Sequence, residues 1–173
     1  DLDDFISASQ IVQAEAKKYF IEFWRTGKPY RCGILWWNLR DGWPILSDAI
    51  TDYFFSKKLA YYYIKRVQEN AIVAVNDALE VIAVNDTFKP AEGKVEISDI
   101  EGGKVLFEAD FKIPPNGKTL VGNVSGLPSE RGMLLIKYEI DGKKQLNHYL
   151  YGKPPFDLKK YREWAESLAI KRD

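Results

Sequence analysis

The sequence predicts an α+β chain in two regimes: a helix, strand and helix of α/β character, then a seven-stranded antiparallel sandwich of immunoglobulin type closed by a C-terminal helix. Three observations carry this. Apolar residues repeat at helical intervals in the first third and again near the end. One near-continuous apolar run of strand length separates the first two helical stretches. From Asn70 onward, short segments of alternating apolar residues recur between turn residues.

Ser7 and Gln10 have the spacing of a capping box, and Val12, Ala16, Tyr19, Phe20 and Phe23 follow at helical intervals before Gly27 and Pro29 end the run. A helix is expected over about 8–26. "RCGILWWNL", residues 31–39, reads as a strand buried on both faces, as in a parallel sheet. An irregular loop, 40–55, leads to Ser56 as N-cap of a helix over 56–68 whose apolar face is Leu59, Ala60, Tyr63, Ile64 and Val67. Alternating segments at 71–75, 79–86, 94–100, 104–111, 118–124, 133–140 and 144–151 are the seven strands. Asp141-Gly142 is a primed hairpin turn and Gly102-Gly103 a second turn, while Asn, Asp, Pro and Gly make residues 85–93 a connection between strands. Asp157 caps a last helix with an apolar stripe of Leu158, Tyr161, Ala165 and Leu168. The expected units are residues 1–68, a sandwich over 70–151 that folds independently, and a tail with its helix, 152–173, that packs on the rest.

Composition narrows the function. Of 173 residues, 46% are hydrophobic and 29% charged, enough for a globular core. Lys and Arg together number 25, as do Asp and Glu, so no excess charge draws the chain to nucleic acid or acidic lipid. No apolar run approaches the roughly 20 residues of a membrane span. No signal peptide opens the chain, but Asp1 is not a start methionine, so the natural N-terminus is expected upstream. One cysteine and one histidine exclude an intrachain disulfide and a thiolate or histidine metal cluster, and no cofactor is expected. Cys32 is expected as a small buried hydrophobe and His148, in an alternating strand, as a structural residue outside any site.

The chemistry concentrates in Trp36, Trp37 and Trp43. A tryptophan at the end of a strand can offer its flat face to the C–H side of a sugar ring, and Trp37 is the best candidate. The competing reading is packing alone, since Trp36 and Trp37 as strand neighbours point to opposite faces. Asp41, Asp48 and Asp52 could supply the carboxylate pair of glycoside hydrolysis, or could form turns and pair with cations. Arg40 is an ion-pair partner for Asp41 or a substrate contact. Asn38, polar in an apolar run, requires a hydrogen-bond partner.

"GILWWNLRDGWPILSDAITDYFFSKKLAYYYIKR", residues 33–66, resembles the end of the catalytic barrel in family 2 glycoside hydrolases of the β-mannosidase type. There a Gly-x-Leu-Tyr-Trp-Gln-Leu-Asn-Asp-x-Trp-Pro pattern on the eighth strand leads into an Asp-Tyr-x-x-x-x-Lys-x-x-Tyr-Tyr helix. Gly33, Leu35, Trp37, Leu39, Asp41, Trp43, Pro44, Asp52, Tyr53, Lys58, Tyr61 and Tyr62 fit the pattern or lie within a residue of it. "QAEAKKYFIEFWR" is similar to the preceding helix, and "NHYLYGKPPFDLKKYREWAESL" to the enzymes' tail.

The resemblance implies a remnant of a (β/α)8 barrel followed by an immunoglobulin-like domain, with carbohydrate as ligand and the remainder of the parent chain as partner. It implies Trp37, Asn38, Asp41 and Trp43 as substrate-binding residues. It also implies a retaining mechanism with two glutamates, one after the fourth and one after the seventh barrel strand. Neither is here, and "DLDDFIS" has no Ser-Glu-Phe-Gly pattern, so the chain alone is expected to be inactive. Asn38 stands where the family often has glutamine, Arg40 replaces asparagine, Gly42 a frequent cysteine and Trp36 a tyrosine. These departures leave mannoside as the leading sugar, with galactoside and glucuronide open. In the wider clan a cis peptide often follows the eighth-strand tryptophan, here Trp37–Asn38. A barrel strand without its neighbours is expected to drive self-association through residues 5–66. A non-catalytic carbohydrate-binding module and a structural accessory domain are the alternatives.

Overall fold

The computed structural model describes residues 1–170. Helix α1 spans Leu2–Thr26, starting ahead of the Ser7 capping box. Asp1 is the N-cap, its carboxylate accepting the Asp4 N–H at 2.8 Å, and Asp3 and Asp4 place negative charge where the helix dipole favours it. The buried face also differs from the expected one. Val12, Ala16, Tyr19 and Phe20 face outward, whereas Ala14, Lys18, Ile21 and Glu22 are buried. Helical periodicity identifies an apolar face but not which neighbour is available to cover it, and α1 docks here with a face whose two charges satisfy each other.

Helix α2 spans Leu59–Val67, later than the expected cap at Ser56. Its N-cap is Lys58, which makes no side-chain capping bond; Gln10 of α1 instead accepts the Leu59 N–H at 3.2 Å. Residues 31–39 form no strand. They are tied to the far side of the following loop: Ile50 N–H donates to the Asn38 carbonyl, Thr51 N–H to that of Leu39, and Asp41 N–H to that of Thr51. Arg40 and Thr51 form a single parallel bridge. A strand requires partners in register along its edges, and the described residues supply only this short contact. The alternation survives in burial, with Ile34 and Trp36 packed on the helices and Leu35 and Trp37 outward. For the same lack of cover Cys32, expected inside, is exposed.

All seven expected strands are present: β1 Ala71–Val75, β2 Glu80–Asn85, β3 Ala91–Asp99, β4 Val105–Ile113, β5 Lys118–Asn123, β6 Gly132–Ile140 and β7 Lys143–Tyr151. They form two antiparallel sheets, ordered β1-β2-β5 and β4-β3-β6-β7, the layering of an immunoglobulin-like sandwich. Asp141 and Gly142 take φ of 48° and 80°, as a primed turn requires. At the Gly102-Gly103 turn the Asp99 carboxylate accepts the Gly102 N–H at 2.7 Å. Asn85 organises the β2–β3 connection, accepting from Thr87 N–H and donating to the Lys89 carbonyl.

Two cores result. The first, with Val73, Val81, Val95, Ile97, Leu134, Ile136 and Tyr138, lies between the sheets and draws every member from 71–151. Alternate residues of β6 and β7 point the other way: Met133, Leu135 and Leu150 meet Ala14, Ile21, Tyr63, Ile64 and Val67 of the helices. Helix α3, Leu158–Ser167, caps with Asp157 as expected and adds Tyr161 and Trp164, together with Leu168 just beyond its end, to this second core. Leu158 and Ala165 of the expected stripe lie at its half-buried margin.

The seam between α1 and β7 is polar. Lys18 and Glu22 pair at 2.7 Å, their side chains 3% and 4% exposed, and Asn147 donates to Glu22 at 2.6 Å and to the Val73 carbonyl at 2.9 Å. His148 is buried, with its ring edge-on to Tyr63 and Nε2 at 2.7 Å from Glu15. Tyr161 donates to the same Glu15 oxygen and sits 2.7 Å from the Tyr63 hydroxyl. Burial pushes His148 below its ordinary range, and Glu15 only partly offsets this. Burial would raise Glu15, but His148, Lys18 and Tyr161 outweigh it and hold the carboxyl at about 2. His148 thus joins β7 to the helices.

Candidate functional site

Residues 36–55 cross the end of the helical layer as an irregular loop, fixed from behind by α1 and α2. The Lys17 ammonium donates to the Trp37 carbonyl at 2.6 Å and lies 5.4 Å from the centre of the Trp36 ring. Burial lowers the Lys17 pKa, and Asp48 partly offsets this. Gln13 donates to the carbonyls of Asp48, at 2.7 Å, and Ala49, at 3.3 Å. Trp36 packs into the second core while Trp37 is 74% and Trp43 66% exposed. The Trp37–Asn38 peptide is cis. The Asn38 side-chain oxygen is buried and has no hydrogen-bond partner among the described residues.

The three loop aspartates do not converge. Asp41 is buried, accepting a hydrogen bond from the Ser47 hydroxyl and pairing with the Lys58 ammonium at 3.3 Å. The Ser47 hydrogen bond and then Lys58 outweigh desolvation, holding its carboxyl below the usual range. Asp52 closes a turn by accepting the Ser56 N–H at 2.8 Å, and Asp48 lies near Lys17. Arg40 pairs with none of them, stacking 3.6 Å over the Phe55 ring and donating to the Tyr53 carbonyl. Around these groups the loop exposes Leu35, Leu39, Ile45, Leu46, Phe54 and Phe55. A shallow hollow of about 460 Å³ separates Pro44, Ile45 and Leu46 from Asp52, Tyr53 and Phe54.

The arrangement presents two indole faces on a loop with an ionised carboxylate locked inside it. It offers no pair of facing carboxylates among the described residues, and no group of three or more metal-ligating side chains occurs there. Lys58 as the partner of Asp41, and Gln13 and Lys17 behind the loop, were not singled out from sequence, and Gln10 was read there only as part of a capping box. The one signal for these α1 residues is the spacing of Gln10, Gln13 and Lys17 along a single helical face.

No protein-family model matches the chain. It is 34% identical over 144 residues to β-mannosidase B of Aspergillus niger, covering 69% of this chain and 17% of that protein. It is 31% identical over 170 residues to β-mannosidase B of Emericella nidulans, covering 83% and 20%. Among solved structures, β-D-mannosidase from Dictyoglomus thermophilum superposes with a TM-score of 0.74 at 31% identity, covering 88% of this chain and 20% of that one. Over most of its length the chain resembles one part of the β-mannosidase-like members of glycoside hydrolase family 2. It spans about a fifth of the length of these family 2 relatives. The same fold occurs in the exo-chitosanase of Amycolatopsis orientalis, which at 20% identity superposes with a TM-score of 0.70 over 90% of this chain.

Proposed function

We propose that this chain forms the sugar-facing end of a retaining glycoside hydrolase acting on β-mannosides, with both catalytic glutamates supplied by the rest of the parent chain. Trp37 and Trp43 are the sugar platform, Asn38 contributes its free buried oxygen, and Asp41 holds the loop in place from inside. The observation that carries the reading is the split between adjacent tryptophans: Trp36 is packed while Trp37 stands out on a loop braced by Lys17, in a chain similar to β-mannosidases. A side chain kept only for packing gains nothing from such exposure.

Catalysis needs two positioned carboxyl groups, about 5 Å apart for retention. No such pair is supplied by the loop, so the chain by itself is inactive. The test is incubation of the purified chain with nitrophenyl β-mannoside, β-galactoside and β-glucuronide. No release above background is expected, and turnover that co-purifies with the chain would overturn the assignment of chemistry to the remainder of the parent. The sandwich over 70–151 supplies its own core and folds as a separate unit, leaving residues 5–66 to present apolar surface to the parent or, in isolation, to another copy.

A further inference from the structure

We propose that Gln10, Gln13 and Lys17 of α1 are positioning residues that set the height and orientation of the loop presenting Trp37 and Trp43. This rests on the sugar-platform reading above. The three lie at spacings of three and four along one face of α1, so on a rise of 1.5 Å per residue they form a polar row about 10 Å long. Each makes a contact to backbone in the segment 37–59. Lys17 takes the Trp37 carbonyl at 2.6 Å, Gln13 the carbonyls of Asp48 and Ala49, and Gln10 the Leu59 N–H at 3.2 Å. The loop is thus clamped near its start, past its middle and at its junction with α2.

Every one of these bonds runs from a side chain to the main chain, and that is the basis for assigning position over packing. Main-chain contacts fix where the loop runs whatever side chains it carries, whereas the outward side chains of Trp37 and Trp43 remain free for a ligand. Within the loop, Asp41 completes the frame through Ser47 and Lys58, and Lys58 also donates to the Ser47 carbonyl at 3.2 Å. Regular secondary structure is nearly absent between Tyr30 and Leu59, where only the isolated bridges of Arg40, Thr51 and Lys57 occur. A loop of this length without a ladder has little else to hold it in a single conformation.

The test uses the whole chain labelled with 5-fluorotryptophan, its resonances assigned with Trp→Phe variants. In Lys17→Met the Trp37 and Trp43 fluorine resonances are expected to move and split while that of Trp164, buried against the helices, stays in place; Lys17→Arg, which keeps a donor, restores single lines. Gln13→Met is expected to disturb Trp43 in the same way, and it serves as the second variant if Lys17→Met does not fold. Unchanged Trp37 and Trp43 lines in a folded Lys17→Met or Gln13→Met chain would overturn the proposal. Titrating the wild-type chain with methyl β-mannoside separates the two claims: the sugar reading is judged by the Trp37 response to sugar, the positioning claim by the variants in its absence.

Discussion

The Lys18–Glu22 pair gives a measurable test of how α1 is held on the sandwich. Both side chains are almost fully buried, and Glu22 receives Lys18 and Asn147 together. Glu22→Leu leaves the ammonium buried without its hydrogen-bonded carboxylate, the charge of Glu15 being the remaining one that acts on it, and breaking such a buried pair costs about 3–5 kcal/mol. In a chain of this size that corresponds to a fall of roughly 6–20 °C in the midpoint of the transition that releases the helices. Lys18→Met with Glu22→Leu removes both charges and fills the seam with apolar volume. Asn147 then loses one acceptor and keeps the Val73 carbonyl, a loss of about 1 kcal/mol. The double variant is therefore expected within about 2 kcal/mol of the wild type, far closer than either single variant. Urea denaturation followed by far-ultraviolet circular dichroism reads all four corners of the cycle. A Glu22→Leu cost below about 1 kcal/mol, or a double variant as unstable as the sum of the singles, would refute the view that these charges are desolvated and mutually dependent.

Stability is expected to fall stepwise in acid. His148 is held below its ordinary range, so the unfolded chain takes up a proton first and stability declines as pH drops through about 6.5. Glu15, held at about 2 against an unperturbed 4.5, adds a second decline between those values; thermal midpoints from pH 8 to 3 check both, and His148→Phe should flatten the upper step. Gly93→Ala would bring a methyl group to 2.0 Å from the Glu139 backbone oxygen, and a loss of about 1–3 kcal/mol or more is expected in the sandwich transition. Gly33→Ala, with open space around it, should lie within about 0.5 kcal/mol of wild type in the same melt. Light scattering against concentration should show self-association that Leu35→Lys with Leu46→Lys suppresses, since both leucines are almost wholly exposed; a monomer at all concentrations would remove the apolar face as an interface.

The sandwich was legible because an alternating strand buried on one face writes its period into the sequence, and the turns at Asp141-Gly142 and Gly102-Gly103 carry residues that their backbone requires. The helical layer was legible in outline only. Val12, Ala16, Tyr19 and Phe20 make a good apolar stripe, yet α1 buries Lys18 and Glu22 instead, because periodicity is silent on which neighbour a face will meet. "RCGILWWNL" has strand composition but no strand partner among the described residues, and hydrogen-bonded neighbours rather than composition make a strand. The loop proposed as the site stood out by its residues, but its frame did not: Lys17 and Trp37 are 20 positions apart, and Glu15 and His148 are 133 apart, separations at which no local pattern signals contact.

The central claim is that Trp37 offers its face to the sugar in the parent enzyme, and the most direct measurement is kcat/KM for aryl β-mannoside hydrolysis by full-length parent carrying Trp37→Ala. The account predicts a loss of more than tenfold, about 1.4 kcal/mol of transition-state stabilisation, with His148→Ala nearly unchanged. Equal, small effects from the two substitutions would contradict it.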